Sequence, residues 1–195
     1  MAKYNLLAGK AAIKLSDFSS ACSFFSCGID FLPDNKWSDH YDLSIELFEL
    51  MSKSALATGN VESLHVYTGE VLKNARCFQD KLNVYHIIIT AYSCASKMTD
   101  ALAKGSELLL CLGEEIPISP SQEAINTNIK QTQAMIRGMT EETLLHYRPM
   151  TDTNKLWAMK FLATLQSISF MLNPTLHSYL TLRMVQLTIS YGKPQ

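Results

Sequence analysis

The chain has 195 residues, with 17 basic and 18 acidic side chains for a formal net charge of −1; 47% of the residues are hydrophobic and 18% charged. That length accommodates one domain or two small ones, and the composition excludes a disordered tail, which needs low hydrophobicity and high net charge. Divided at Met98, the charges fall 9 basic to 10 acidic and then 8 to 8, so neither part has the basic excess that holds nucleic acid or an anionic membrane surface.

The apolar period is helical nearly throughout. Leu6, Leu7, Ala11, Ile13 and Leu15 predict a first helix with a broad apolar face. Phe18, Ala21, Cys22, Phe25, Ile29 and Leu32 recur at three and four and predict a second, capped by Ser16 or Asp17 and stopped by Pro33. Ser38-Asp39 opens a third, carrying Leu43, Leu47, Leu50, Met51 and Leu56. Gly59-Asn60 ends it with the left-handed residue that helix C-termini favour. Helices follow over 61–75, over 80–96 with Val84, Ile87, Ile88, Ala91, Tyr92 and Ala95, and over 99–112 up to Gly113. After a loop at 114–119, Ser119 reads as an N-cap, Pro120 as the first helical position and Gln122 as the partner in a capping box. That helix should reach Arg137, before Gly138. A short helix at 141–146 precedes Arg148-Pro149-Met150. Thr151 or Asp152 then caps a long helix over 155–172, and Asn173-Pro174 separates it from the last, which reaches Tyr191. Strand-like residues occur only at Ile87, Ile88 and Ile89, inside a helical frame. The expected fold is all-α with strand content near zero.

An internal repeat follows from the same spacing. Gly9, Ala12, Ala21, Phe25, Gly28 and Pro33, with gaps of three, nine, four, three and five, match the tetratricopeptide signature. In such a hairpin the small residues let two helices approach closely, and the aromatic fills the gap against the next hairpin. Phe48, Met51, Ser52, Ala55, Gly59-Asn60, Leu64, Thr68 and Val71 form a second, looser unit. Tyr85, Ile88, Ile89, Tyr92, Met98, Ala101, Gly105 and Leu108 form a third. Aligned on their turns the units are offset by 43 and then 37 residues, longer than the usual repeat of about 34. The expected organisation is one helical-repeat domain over 1–195, a tetratricopeptide-like α-solenoid of antiparallel hairpins, with three hairpins in 1–113 and divergent helices in 114–195.

A narrower resemblance rests on Ala8-Gly9-Lys10-Ala11-Ala12, Tyr41-Asp42-Leu43 and Ala55-Leu56-Ala57-Thr58-Gly59-Asn60. Pro149-Met150-Thr151-Asp152 through Met159, and Met184-Val185-Gln186-Leu187 through Tyr191-Gly192, extend it. These stretches resemble the degenerate tetratricopeptide-like helical region of large multidomain signalling kinases. There a serine/threonine kinase-like domain and an AAA-type ATPase domain precede the region, and GAF and histidine-kinase domains commonly follow it. The resemblance implies a connector within a longer chain. It transfers no kinase or ATPase residue, because none of those motifs occurs in the sequence.

Chemistry-bearing motifs are missing. The sequence has no Gly-x-x-x-x-Gly-Lys-Ser/Thr loop, no Gly-x-Gly-x-x-Gly, no Gly-x-Ser-x-Gly, no His-Arg-Asp and no Asp-Phe-Gly. His40, His65, His86, His146 and His177 are scattered singly, without His-Glu-x-x-His. Cys22, Cys27, Cys77, Cys94 and Cys111 include no Cys-x-x-Cys. They are odd in number, and the start Met1-Ala2-Lys3-Tyr4 lacks an apolar leader, so they read as buried or half-buried thiols in a reducing, cytoplasmic compartment. No membrane span is expected: the longest candidate, 161–172, falls short of the roughly 20 residues required. No catalytic residue, cofactor or metal is predicted, and neither nucleic acid nor membrane is expected as a partner.

The expected role is a non-catalytic scaffold or connector that binds a protein partner or neighbouring domains of its own chain. The alternative is an independent adaptor binding peptides in a concave groove. Tyr85, His86 and Tyr92 are the candidate groove residues, set against the plainer reading of hairpin packing; Trp37 is expected to tuck under the next helix. Residues 161–192 carry one formal charge, Arg183. Their apolar residues exceed one inward stripe per helix, which predicts a buried seam and self-association of the isolated fragment.

Overall fold

The computed structural model describes residues 1–137, 139–140, 142 and 147–194. Among the described residues the regular structure is ten α-helices and one 3-10 turn, with no strand. The helices are α1 (Ala2–Lys14), α2 (Phe18–Asp30), α3 (Lys36–Asp39), α4 (Tyr41–Ala57), α5 (Val61–Asn74), α6 (Leu82–Cys94), α7 (Met98–Cys111), α8 (Gln122–Ile136), α9 (Thr153–Leu172) and α10 (Pro174–Tyr191). The chain divides into two units, Met1–Ala91 and Tyr92–Gln195, with the division inside α6. No helix of the described residues is long and apolar enough to cross a membrane.

Four helices end in the same way, α7 at Gly113 (φ 80°) and three that lead directly into the next helix. In those three the residue after the C-cap has positive φ too: Ser16 at 60°, Gly59 at 72° and Ser96 at 60°. Behind α1, Ser16 N donates to Ile13 O at 2.9 Å and Asp17 N to Ala12 O at 3.0 Å. Gly59 N and Asn60 N do the same to Leu56 O and Ala55 O, and Ser96 N and Lys97 N to Ser93 O and Tyr92 O. This double closure satisfies carbonyls that a helix end leaves open. The residue completing it also starts the next helix: Asp17 accepts from Ser20 N and Asn60 from Ser63 N, while Lys97 holds the place without a side-chain bond. From Ser16 to Gly59 is 43 residues and from Gly59 to Ser96 is 37, the offsets of the sequence repeat. Each turn is three residues long, and the first two close the hairpins α1–α2 and α4–α5.

In the first unit, Phe25 of α2 lies over Gly9 of α1, where a Cβ would overlap its ring. Phe25 and Ala21 are fully buried, and Ala12 nearly so. At Gly28 a Cβ would stand 2.9 Å from Leu47 Cδ2, so this glycine sets the approach of α4. Phe48 of α4 is held between Trp37 and Tyr67, with ring centroids 5.1 and 5.8 Å away. Val84 joins Phe48 and Val71, and Ile87 joins Ala55 and Leu64, which seats the start of α6 on α4 and α5.

The second unit is built on α9 and α10, an antiparallel pair packed on α7 and α8. Phe161, Leu162, Leu165, Leu180 and Leu187 form its core, and Leu165 fits against Gly105, where a Cβ would come 2.5 Å from Leu165 Cδ2. Pro149 bridges to Lys193, with Met150 N donating to Lys193 O at 2.8 Å and Lys193 N to Arg148 O at 2.9 Å.

Five sequence expectations change. Ser38-Asp39, expected to open the third helix, lie in the four-residue α3, and the helix carrying Leu43 to Leu56 starts at Tyr41 after His40. The buried face of α1 is Ala2, Leu6, Gly9 and Ala12, while Leu7, Ala11 and Leu15 face outward; the small residues win because only they admit Phe25. The cap of α8 is Ser121, accepting from Ala124 N, rather than Ser119, because the helix starts after Pro120 instead of on it. Many of the excess apolar residues of 161–192 are covered from within the unit, since α9 packs on α7 and α10 on α8; Phe170, Leu172, Val185 and Tyr191 remain exposed. Cys22 alone is half-buried, and Cys27, Cys77, Cys94 and Cys111 are exposed. The short helix expected at 141–146 lies, apart from Glu142, outside the described residues, as does Gly138.

Candidate functional site

The structure places Tyr85, His86 and Tyr92 on α6, all half-buried. At about 100° per residue, Tyr85 and Tyr92 fall on one face of the helix and His86 on another. Leu82, Val84, Ile87 and Ile89 are its buried residues. Tyr85 and His86 belong to the first unit and Tyr92 opens the second.

Two polar clusters lay hidden in the sequence. The first joins the start of α4 to the segment between α5 and α6. The Tyr41 hydroxyl donates to Asp80 Oδ2 at 2.5 Å and accepts from Arg76 N at 2.9 Å. The Arg76 guanidinium lies 3.9 Å over the Tyr41 ring and donates through Nη2 to the carbonyls of Trp37 and Ser38 at 3.2 and 3.0 Å. Trp37 packs on Tyr41 and Phe48, and its buried indole N–H has no acceptor among the described residues. The bond from Tyr41 holds the Asp80 carboxyl below the usual carboxylate range. Burial, and then that same bond, pushes the Tyr41 phenol up.

Tyr41→Phe is therefore expected to cost about 1.5–3 kcal/mol at neutral pH, the range for a hydrogen bond to a charged group. The stability that Asp80 supplies is full above its unfolded pKa of about 3.9 and is lost as pH falls through its lower folded value. The Tyr41 contribution is full below its unfolded pKa of about 10 and is lost as pH rises through its higher folded value. Denaturant titrations across pH should show both slopes shallower in Tyr41→Phe; an unchanged acid slope contradicts the assignment.

The second cluster floors an open polar cleft of about 680 Å³, lined by the loop after α7, by α8 and by α10. Gly113, at φ 80°, closes α7 and delivers Glu114 inward. Glu114 N donates to Leu109 O at 2.8 Å, which puts an acid where the helix-closing motif usually places an apolar contact. Its side chain is 1% exposed, with Oε1 2.6 Å from Lys155 Nζ of α9 and Oε2 2.6 Å from Arg183 Nε of α10. Arg183 Nη1 donates to Gln186 Oε1 at 3.0 Å. Gln186 Nε2 donates in turn to Asn128 Oδ1 and Thr132 Oγ1 of α8 at 3.1 and 3.0 Å. One carboxylate thus ties α9 and α10 to the loop, and Arg183 carries the network on through Gln186 to α8. Buried charges persist when paired and hydrogen-bonded in this way.

The cleft mouth carries Glu115, Glu123, Thr127, Gln131 and Tyr179, and neither histidine nor cysteine lines it. The buried network is internally satisfied and contains no nucleophile held against a base. Burial pushes the Cys22 thiol up, although a bond to Thr58 opposes this, and a raised thiol is a poor nucleophile at neutral pH. Among the described residues no group of three or more His, Cys, Asp and Glu could hold a metal ion. No protein-family model, curated protein or solved structure matches the chain.

Proposed function

We propose that the chain is a non-catalytic helical-repeat scaffold: a tetratricopeptide-like stack of antiparallel hairpins that mediates protein–protein or interdomain contacts. The observation that carries this reading is the triple recurrence of one helix-to-helix turn, with positive φ at Ser16, Gly59 and Ser96 and a helix beginning two residues later each time. A recurrent turn at near-constant spacing is what a stacked repeat requires, because each hairpin buries its apolar face only against a neighbour. The connector of multidomain signalling kinases is the setting that the sequence resemblance suggests. One observation favours the adaptor reading instead: α9 packs on α7 and α10 on α8, so much of the last hairpin's apolar surface is hidden without a following repeat. Under either reading the polar clusters hold helices in place, and the working surfaces are helix faces.

Calorimetry of the whole chain with Mg·ATP and with zinc is the direct check on its non-catalytic character. Neither should bind saturably tighter than about 10 μM, roughly −6.8 kcal/mol. Saturable binding beyond that value overturns the reading. A peptide bound on α6, weakened at least about tenfold by Tyr85→Ala or Tyr92→Ala, would select the adaptor over the connector.

A further inference from the structure

Helix α1 is apolar on two sides. Its inner face, Ala2, Leu6, Gly9 and Ala12, is buried. On the opposite side Tyr4 is 74% exposed, Leu7 62% and Leu15, the C-cap, 82%, with exposed Ala11 between them. At about 100° per residue these four span roughly 80° of the helix surface, narrower than a core-facing stripe of about 100° and close to the seam of a helix-on-helix contact. Exposed leucines and a tyrosine aligned over about three turns differ from the scattered single apolar residues of an ordinary surface.

The charges at this stripe have one sign and lie on one side. Lys3, Lys10 and Lys14 fall within about 40° of one another and run along one edge of the stripe. No acid precedes Asp17, so residues 1–16 carry +3 in side-chain charge while the rest of the chain carries −4. Lys10 pairs with Glu46 at 2.5 Å, and Lys3 and Lys14 are exposed. The other edge holds Asn5 and Ala8 and no charge. A membrane surface is better served by basic residues on both borders of an apolar face, whose stems reach up to the headgroups from either side. A single basic edge beside an apolar stripe matches a second helix lying alongside, where edge charges choose the partner and its orientation.

We infer that the outer face of α1 is a docking surface for an amphipathic helix of a separate protein, one with an apolar stripe bordered on one edge by acidic residues. This extends the scaffold reading by naming a surface and a kind of partner. Its test is independent of that reading, since a scaffold that works through other faces survives its failure.

The probe is a synthetic, hydrocarbon-stapled 18-residue helix with leucines along one stripe and glutamates on one edge, titrated by fluorescence anisotropy into the whole chain. Its twin carries lysines on that edge. The glutamate peptide should bind with a dissociation constant of about 100 μM or tighter, at least about tenfold better than the lysine twin. Binding should weaken as salt rises. Leu7→Glu, at an exposed position, should reduce affinity at least about tenfold, while Val61→Glu, at an exposed position of α5, should leave it unchanged. No binding, equal binding of both peptides, or indifference to Leu7→Glu overturns the proposal. So does sedimentation showing that Leu7→Glu abolishes a dimer of the chain itself, or flotation with phosphatidylserine vesicles that depends on Leu7.

Discussion

Phe25→Ala is expected to lower the stability of the first unit by about 3–5 kcal/mol, the range for emptying a large aromatic from a core. Phe25 has no exposed surface, and its ring occupies the space that Gly9 leaves on α1. The cavity cannot be refilled locally, because Gly9 has no side chain to move into it. Ala21 and Gly28, on the same helix, fix the distances to α1 and α4. Trp37, in the first unit, reports the transition in a chain carrying Trp157→Phe. A change below about 1 kcal/mol would mean that the close contact of α1 and α2 does not organise this unit.

Glu114→Ala is the counterpart in the second unit. The substitution strips the counter-charge from Lys155, whose side chain is 14% exposed, and from Arg183, at 34%. Removing one partner of a buried ion pair costs about 3–5 kcal/mol, since the remaining charge stays where water reaches it poorly. Arg183 keeps a third of its surface in solvent, which holds the expected loss near the lower end, about 3 kcal/mol. Trp157 fluorescence, in a chain carrying Trp37→Phe, reads this transition. The difference between wild type and Glu114→Ala should persist at high salt, because buried pairs are screened little. A loss that vanishes in salt would place Glu114 at the surface.

Local chemistry was legible in the sequence, and long-range chemistry was not. Asp17, Asn60, Asp152 and Asn173 accept from a backbone N–H three residues ahead, a bond that depends only on neighbouring residues. The turn offsets were legible for the same reason: a three-residue closure is written in three residues. Ser119 and Ser121 are both competent caps flanking Pro120, and only the course of the 114–121 loop decides between them. For α1 the sequence offers one broad apolar face, and which part of it is buried is decided on α2, by Phe25 over Gly9. The Glu114 cluster joins residues 41 and 69 positions apart. One signal pointed to it: Arg183 is the only formal charge in 161–192, and a lone charge in an apolar segment calls for a partner from elsewhere. The Tyr41–Asp80 cluster carried no such mark.

Small-angle scattering of the monomeric chain, extrapolated to zero concentration, tests the repeat-scaffold account most directly. A closed 195-residue bundle has a radius of gyration of about 16 Å. A stack of hairpins, each touching only its neighbours, should exceed that by at least about a fifth and give a pair-distance distribution with an extended tail. A symmetric distribution with a radius of about 16 Å would contradict the account.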